Sequence, residues 1–275
     1  MSLFSNQIFI GIVLAALVST LAYLARTLRP QGALAAFVLG AVIFGLGGFS
    51  WAVLLLGFFI SSSALSKLFK RHKSNLDEKY AKGSTRDAGQ VLANGGIAGI
   101  FVIAHYLFPS AEWTWMAYAG ALAAVNADTW ATELGALSRK LPRLITTGKT
   151  VEPGTSGGIT LLGTLSAFLG AFFIAFLAIL TWVGSPLATL QHILGALISI
   201  SLAGLLGSLI DSLLGATLQA IYTCPTCNKE TERHPLHLCG TPTIFKRGIH
   251  WMNNDWVNAI CSLGGALGAL LAALL

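Results

Sequence analysis

The chain of 275 residues is 55% hydrophobic and only 10% charged, with a mean hydropathy of +0.72 and a formal net charge of +6. A water-soluble protein of this size does not carry so few charges, so the composition excludes a soluble enzyme and points to an integral membrane protein. Nucleic acid is not an expected partner, because no basic surface interleaved with aromatics is present.

Apolar runs near 7–25, 32–48 and 50–66 open the chain. A helix needs roughly 20 residues to cross about 30 Å of hydrocarbon. The first run has no charged segment before it and no small-x-small cleavage site, so it reads as a helix and not as a signal peptide. The second and third are short and share a Gly-rich junction at 45–49, which suits a tight hairpin. The polar stretch SKLFKRHKSNLDEKYAKGSTRDAGQ, Ser66 to Gln90, leads to a fourth run at 91–108. A fifth, at 115–138, ends in RKLPRLITTGKTVEPGTSGG, Arg139 to Gly158. Runs at 159–182 and 193–217 precede a polar stretch from Ala220 to Asp255 with three of the four cysteines, and a last run fills 256–275. The expectation is an all-α, single-domain bundle of eight transmembrane helices, with seven as the alternative, and a separate Cys/His loop at 220–255. A homo-oligomer is neither required nor excluded.

Charge placement supports eight. The 17 Lys and Arg fall at 26–29, 67–86, 139–149 and 229–247, whereas the connections near 45–50, 109–114 and 183–190 carry none. With eight spans, every positive charge lies on one side, which the positive-inside rule makes cytoplasmic; both termini then face away from it. The basic loops suit anionic lipid and an anionic substrate. A bacterial plasma membrane or a thylakoid-type membrane is the expected location.

Asp128, Glu133 and Asp211 lie inside these apolar runs, with no Lys or Arg in the same segments. An acid at mid-bilayer costs roughly 2.5–3.5 kcal/mol on insertion scales, so such residues face a packed or watery interior and mark candidate sites. Asn126, Thr129 and Glu133 share one helical face by their spacing. Asp128 points about 140° away from Glu133, so it either faces another helix or sits where the helix is broken; a break is the expectation. Carboxylates, an amide and hydroxyls suit Mg²⁺, a hard cation that takes oxygen ligands and bridges to phosphates, with Asn126, Asp128, Glu133 and Asp211 as the candidate set. Ser208 and Ser212 flank Asp211, and SLIDSLLGATL at 208–218 echoes NADTWATELGAL at 126–137. The two Asp-hydroxyl pairs are thus expected at similar depth.

Lys149 and the turn Thr155-Ser156-Gly157-Gly158 open onto the sixth run, where Gly-rich backbone and a helix N-terminus can bind phosphate. Arg86, Asp87 and Asn94 sit where the chain enters the fourth helix and are further phosphate or nucleotide candidates, whereas Lys67, Lys70 and Arg71 read as a lipid-facing patch. Asn253, Asn254 and Asp255 precede the last helix; they are either a helix cap or a third acidic element. Cys224-Pro-Thr-Cys227 followed by His237 and Cys239 has the spacing of a structural zinc site. Cys261 reads as a buried helix residue, and His105 and His192 as residues of the outer interface.

Five ordered motifs, NADTWATELG, KTVEPGTSGGIT, GSLIDSLLGATLQ, CPTC with HLCG, and NND before the last helix, resemble a family of polytopic membrane proteins, formerly of unknown function, that includes the phytyl-phosphate kinase of tocopherol synthesis. The resemblance spans nearly the whole chain. It implies phosphoryl transfer from a nucleoside triphosphate, CTP in the first instance, to a prenyl-phosphate lipid. It also implies Mg²⁺ on Asp128, Glu133 and Asp211, phosphates on Lys149, Arg86 and the Thr155–Gly158 turn, and an isoprenoid tail near Gly95, Gly96, Gly163 and Gly170. An ion-coupled transporter or lipid flippase is the competing reading, because intramembrane acids and Gly-interrupted helices also mark transport sites.

Overall fold

A computed structural model describes residues 2–69, 79–83, 85–182 and 189–274. Within them run eight α-helices: α1 (Ser2–Leu24), α2 (Pro30–Val42), α3 (Phe49–Leu68), α4 (Ala88–Leu107), α5 (Trp113–Gly135), α6 (Leu161–Thr181), α7 (Leu190–Thr217) and α8 (Asn254–Leu274). Each falls on one of the eight apolar runs, so the helix number among the described residues is eight. Lys70 and Arg71 lie outside the described residues.

Local chemistry explains the boundaries. Pro30 opens α2, where its missing N–H costs nothing. Asp87 and Gln90 form a reciprocal capping box at the start of α4. Thr160 and Thr189 cap α6 and α7 through side-chain oxygens. The expected hairpin exists: α2 passes into a π-helical turn, Ile43–Gly47, and the chain reverses at Gly48, whose φ of +80° suits glycine.

Helix α5 is the axis of the bundle. Fifteen of its 23 residues are buried, and α3, α4, α6, α7 and α8 pack around it. Its Ala- and Gly-rich surface permits close approach: a Cβ on Gly120 would stand 2.4 Å from the carbonyl oxygen of Gly265 in α8. With the π-turn counted into α2, seven of the eight described helices are long and apolar enough to cross a membrane, and α5 is the exception. Its neighbours surround it, so its acids face the interior of the bundle. Large side chains such as Phe9, Leu34, Ile60, Leu169 and Leu202 are exposed on the outer helices instead, as lipid contact requires.

No break occurs at Asp128; α5 is regular from Trp113 to Gly135, which corrects the expectation of an unwound segment. The loops also hold more than coil. Strand β1 (Arg143–Leu144) pairs antiparallel with β2 (Gly158–Ile159), and β3 (Ile221–Cys224), β4 (Lys229–Thr231) and β5 (Ile244–Arg247) form a sheet of order β4-β3-β5. The membrane body is all helical, while the stretch after α7 is a small antiparallel β-subdomain.

Candidate active site at the loop end of the bundle

The long connections converge at one end of the bundle. Arg86 exchanges backbone hydrogen bonds with the α1–α2 turn, through Arg29 N–H to Arg86 O at 2.8 Å and Arg86 N–H to Thr27 O at 2.9 Å. Glu232 N–H donates to Lys79 O at 2.8 Å, and Ile145 N–H to Gly157 O at 3.0 Å. Together the loops and the ends of α4, α5, α6, α7 and α8 enclose a cavity of about 960 Å³.

The cavity wraps around the last turns of α5. Asp128, Thr129, Ala131, Thr132, Glu133, Gly135 and Ala136 all line it. At about 100° per residue these positions span roughly 200° of the helix circumference. Asp128 and Glu133 therefore share one cavity without sharing one face. Across from them, Ser208, Asp211 and Ser212 of α7 line the same space. The two Asp-hydroxyl segments thus line one cavity. Asp211 Oδ2 is buried and has no hydrogen-bond partner among the described residues.

Glu133 has a different neighbour. It accepts a 2.8 Å hydrogen bond from Ser66 Oγ and lies near enough to Arg86 to influence its titration. The Arg86 guanidinium donates to Ser63 Oγ and Ser62 Oγ, each at 2.9 Å, and rests 5.8 and 5.6 Å from the ring centres of Phe58 and Phe59. Burial lowers it to about 10, opposed by the charge of Glu133, so it stays cationic at neutral pH. Arg86 is thus held rigidly at the cavity wall and also faces a narrow apolar crevice between α1, α2, α3 and α4.

Several sequence candidates sit elsewhere or do other work. Asn126 is fully buried, donates to Gly170 O at 2.7 Å and accepts from Ser61 Oγ at 3.0 Å. It ties α3, α5 and α6 together and does not line the cavity. Lys149 is exposed and also outside it. Asp87 caps α4 and pairs with Lys82 Nζ at 3.0 Å. In the Gly-rich turn, Thr155 N–H and Gly158 N–H donate within the loop, so these two amides are not offered to a phosphate. Gly157, at φ +82°, presses against Ala216, where a Cβ would come within 2.5 Å. The turn docks onto α7, and its hydroxyl residues Thr155 and Ser156 line the cavity. Gly163 and Gly170 face α5 across a close helix crossing; Gly163 lines the cavity and Gly170 does not.

Asn254 and Asp255 do line the cavity. Asn253 is the cap, accepting from Asp255 N–H and Trp256 N–H, which frees Asp255 to bind Lys82 Nζ at 2.5 Å. Lys82 and Glu232 are cavity residues that the sequence did not single out. Glu232 accepts from Gln219 Nε2 at 2.8 Å and Ser156 Oγ at 3.1 Å; burial nonetheless raises its carboxyl above the ordinary value. Both residues sit in charged polar loops where no periodicity distinguishes a wall residue from a solvated one. Among the described residues, no three carboxylates gather tightly enough to surround an ion; the one group that does is Cys224, Cys227, His237 and Cys239.

Among the described residues, aromatic rings close the end of the bundle opposite the cavity. Trp51 packs against His105, Trp115 and Tyr118 with ring centres 4.8, 5.0 and 4.6 Å away, and Trp182 stands 6.1 Å from Trp115.

Residues 13–266 match the family described as Integral membrane protein DUF92. Protein PGR of Arabidopsis thaliana is 33% identical over 276 residues, covering 94% of this chain and 93% of its own length. An uncharacterized membrane protein of Methanocaldococcus jannaschii is 31% identical over 269 residues, covering 96% and 94%. Protein VTE6, chloroplastic, of A. thaliana is 24% identical over 249 residues, covering 89% of this chain and 65% of itself. No solved structure matches the chain. The family resemblance carried by the five motifs is thereby borne out.

Proposed function

The chain belongs to the DUF92 family of integral membrane proteins, and on that premise we propose that the cavity is the active site of a phosphotransferase. The reaction converts a prenyl monophosphate, phytyl- or geranylgeranyl-like, to the diphosphate at the expense of a nucleoside triphosphate, CTP being the first candidate. The observation that carries this reading is the joining of Asp128, Asp211 and the held cation Arg86 in one polar cavity at one end of the bundle. The motif resemblance to a family containing phytyl-phosphate kinase supports the substrate class.

In the reaction an oxygen of the prenyl phosphate attacks the γ-phosphorus. The bond to the β–γ bridging oxygen breaks, and the nucleoside diphosphate leaves with that electron pair. The acceptor is already an anion, so no strong general base is needed, and catalysis reduces to positioning and charge neutralisation. Asp128 and Asp211 would hold Mg²⁺, which would offset the charge of the phosphates; their oxygen chemistry and the unpartnered buried Asp211 Oδ2 fit such an ion. Glu133 fits better as the residue that keeps Arg86 charged and in place. Lys82, Arg29 and Arg139 also line the cavity and add positive charge for the triphosphate. The apolar crevice shares Arg86, Gln90 and Asn94 with the cavity. A lipid with its phosphate at Arg86 could lay its tail past Phe58, Leu39 and Gly95. By the positive-inside rule, the cavity would open to the cytoplasmic side.

The test is incubation of purified protein with Mg²⁺, a panel of nucleotides and prenyl monophosphates, with chromatography for the diphosphate. Formation of a prenyl diphosphate and the matching nucleoside diphosphate is expected. No product from any pair, together with substrate movement across proteoliposomes, would replace this reading by a transporter or flippase. The aromatic closure around Trp51 weighs against that alternative.

A further inference from the structure

The subdomain after α7 takes no part in the chemistry above, yet its sulfur and nitrogen atoms converge. Cys224 ends β3, Cys227 lies in the turn before β4, and His237 and Cys239 belong to the turn that closes at Gly240. Cys224 Sγ is 3.5 Å from Cys239 Sγ, and His237 Nδ1 is 3.3 Å from Cys239 Sγ and 3.6 Å from Cys227 Sγ. All four donor atoms lie within 4.8 Å of one another, and the cysteines are free thiols. A tetrahedral zinc with bonds of about 2.3 Å to sulfur and about 2.0–2.1 Å to nitrogen sets its donors roughly 3.5–3.8 Å apart. His237 is 4% exposed and its Nε2 has no partner among the described residues. Of its two ring nitrogens, Nδ1 is the one that faces the sulfurs.

We propose that Cys224, Cys227 and Cys239 Sγ and His237 Nδ1 bind one zinc ion, and that this ion holds the subdomain presenting Glu232 to the cavity. Three thiolates and an imidazole select zinc over a hard cation. Four protein donors close the coordination sphere, which makes the ion structural. Strands of four, three and four residues do not sustain a sheet unaided, and a unit this small commonly needs a metal. Glu232 follows β4 and joins three connections: Gln219 after α7, Ser156 of the Gly-rich turn, and the 79–82 segment, through Lys79 O and Ala81 N. That last segment carries Lys82 into the cavity. The proposal is independent of the phosphotransferase reading.

Metal analysis of the purified full chain should find about one zinc per molecule. The double variant Cys227→Ser/Cys239→Ser should lose it, while His237→Cys should keep it. Should the double variant fail to fold, the wild-type protein decides. Cys227, which is half-buried, and Cys239, which is exposed, should react slowly with a thiol reagent and become reactive once a strong chelator removes the metal. Buried Cys261 should stay unreactive. Limited proteolysis after chelation should accelerate at residues 79–83, and Glu232→Gln should accelerate it there while retaining zinc. Protein purified without zinc and with reactive thiols, or a double variant that keeps its zinc, overturns the site. Zinc loss with unchanged cleavage at 79–83 overturns the link to Glu232.

Discussion

The two ends of α5 are both shielded from lipid and yet have opposite chemistry. Around Trp115 and Tyr118, rings from α3, α4 and the end of α6 fill the space, and Tyr118 OH donates to the Trp51 carbonyl. Around Asp128 and Glu133, the neighbours are serines, glycines and loop backbone, and a cavity remains. Removal from lipid is therefore not what creates the site. The difference lies in whether the side chains facing α5 are large enough to fill the volume. Acids are tolerable only at the end where charge, hydroxyls and water can reach them.

The largest contrast between the ends should come from Asp128→Asn and Asp211→Asn. Each should lower diphosphate formation by about 10²–10³-fold, as loss of one charge-stabilising group does, while the variant stays folded. Retained activity in either variant removes that residue from the site. Next comes Arg86→Ala, which should reduce turnover and cost about 1–3 kcal/mol by leaving Glu133 and two serine hydroxyls without their charged partner. Adding Glu133→Gln should recover stability but not activity, a split that activity assays and thermal unfolding on the same samples would read.

At the closed end the pattern should invert. Gly120→Val must displace α8 and should cost roughly 1–3 kcal/mol through overpacking, while activity per folded molecule and KM stay near wild type. A change in KM instead would mean that the two ends are coupled.

Smaller effects test the cavity rim. Burial by itself lowers Lys82, but its bonds to Asp255 and Asp87 outweigh this and hold it above its ordinary 10.5. Burial raises Asp87, but the Gln90 amide and Lys82 hold it below its ordinary 3.8. The lysine's contribution to stability is present below 10.5 and lost as pH rises through its raised value. The aspartate's is present above 3.8 and lost as pH falls through its depressed value. Thermal unfolding should thus show a plateau for this pair between about pH 4 and 10, and Lys82→Met should lower the plateau without changing its acid edge at other carboxylates. Last, Lys149→Ala should alter activity less than about twofold, because an exposed side chain outside the cavity has little to lose.

Much of this was readable in the chain because a bilayer imposes simple rules. Helices α1 to α8 follow from eight apolar runs, and the grouping of the long basic connections follows from where Lys and Arg fall. Asp128 and Asp211 stand out because ionised groups are costly in apolar segments, and the Cys/His spacing marks a cluster because ligand geometry is local. Other features depend on contacts between distant segments. Asn126 shares its neighbours' periodicity but spends both polar atoms on Ser61 and Gly170. Glu232 and Lys82 look like ordinary loop charges until Ser156, Gln219 and Asp255 surround them. The break expected at Asp128 does not exist, because a cavity can embrace a helix over a wide arc and need not meet a single face.

The sequence by itself determined the membrane character, the helix number, the family and the acids that cannot face lipid, since each follows from transfer energies or short-range spacing. Only the tertiary structure decided that α5 is the axis, that one of its ends is closed by aromatic rings, and that Arg86, Glu133, Lys82 and Glu232 join Asp128 and Asp211 in one cavity. Which volumes are filled and which charges become neighbours depends on how helices far apart in the chain pack, and no local pattern of residues encodes that.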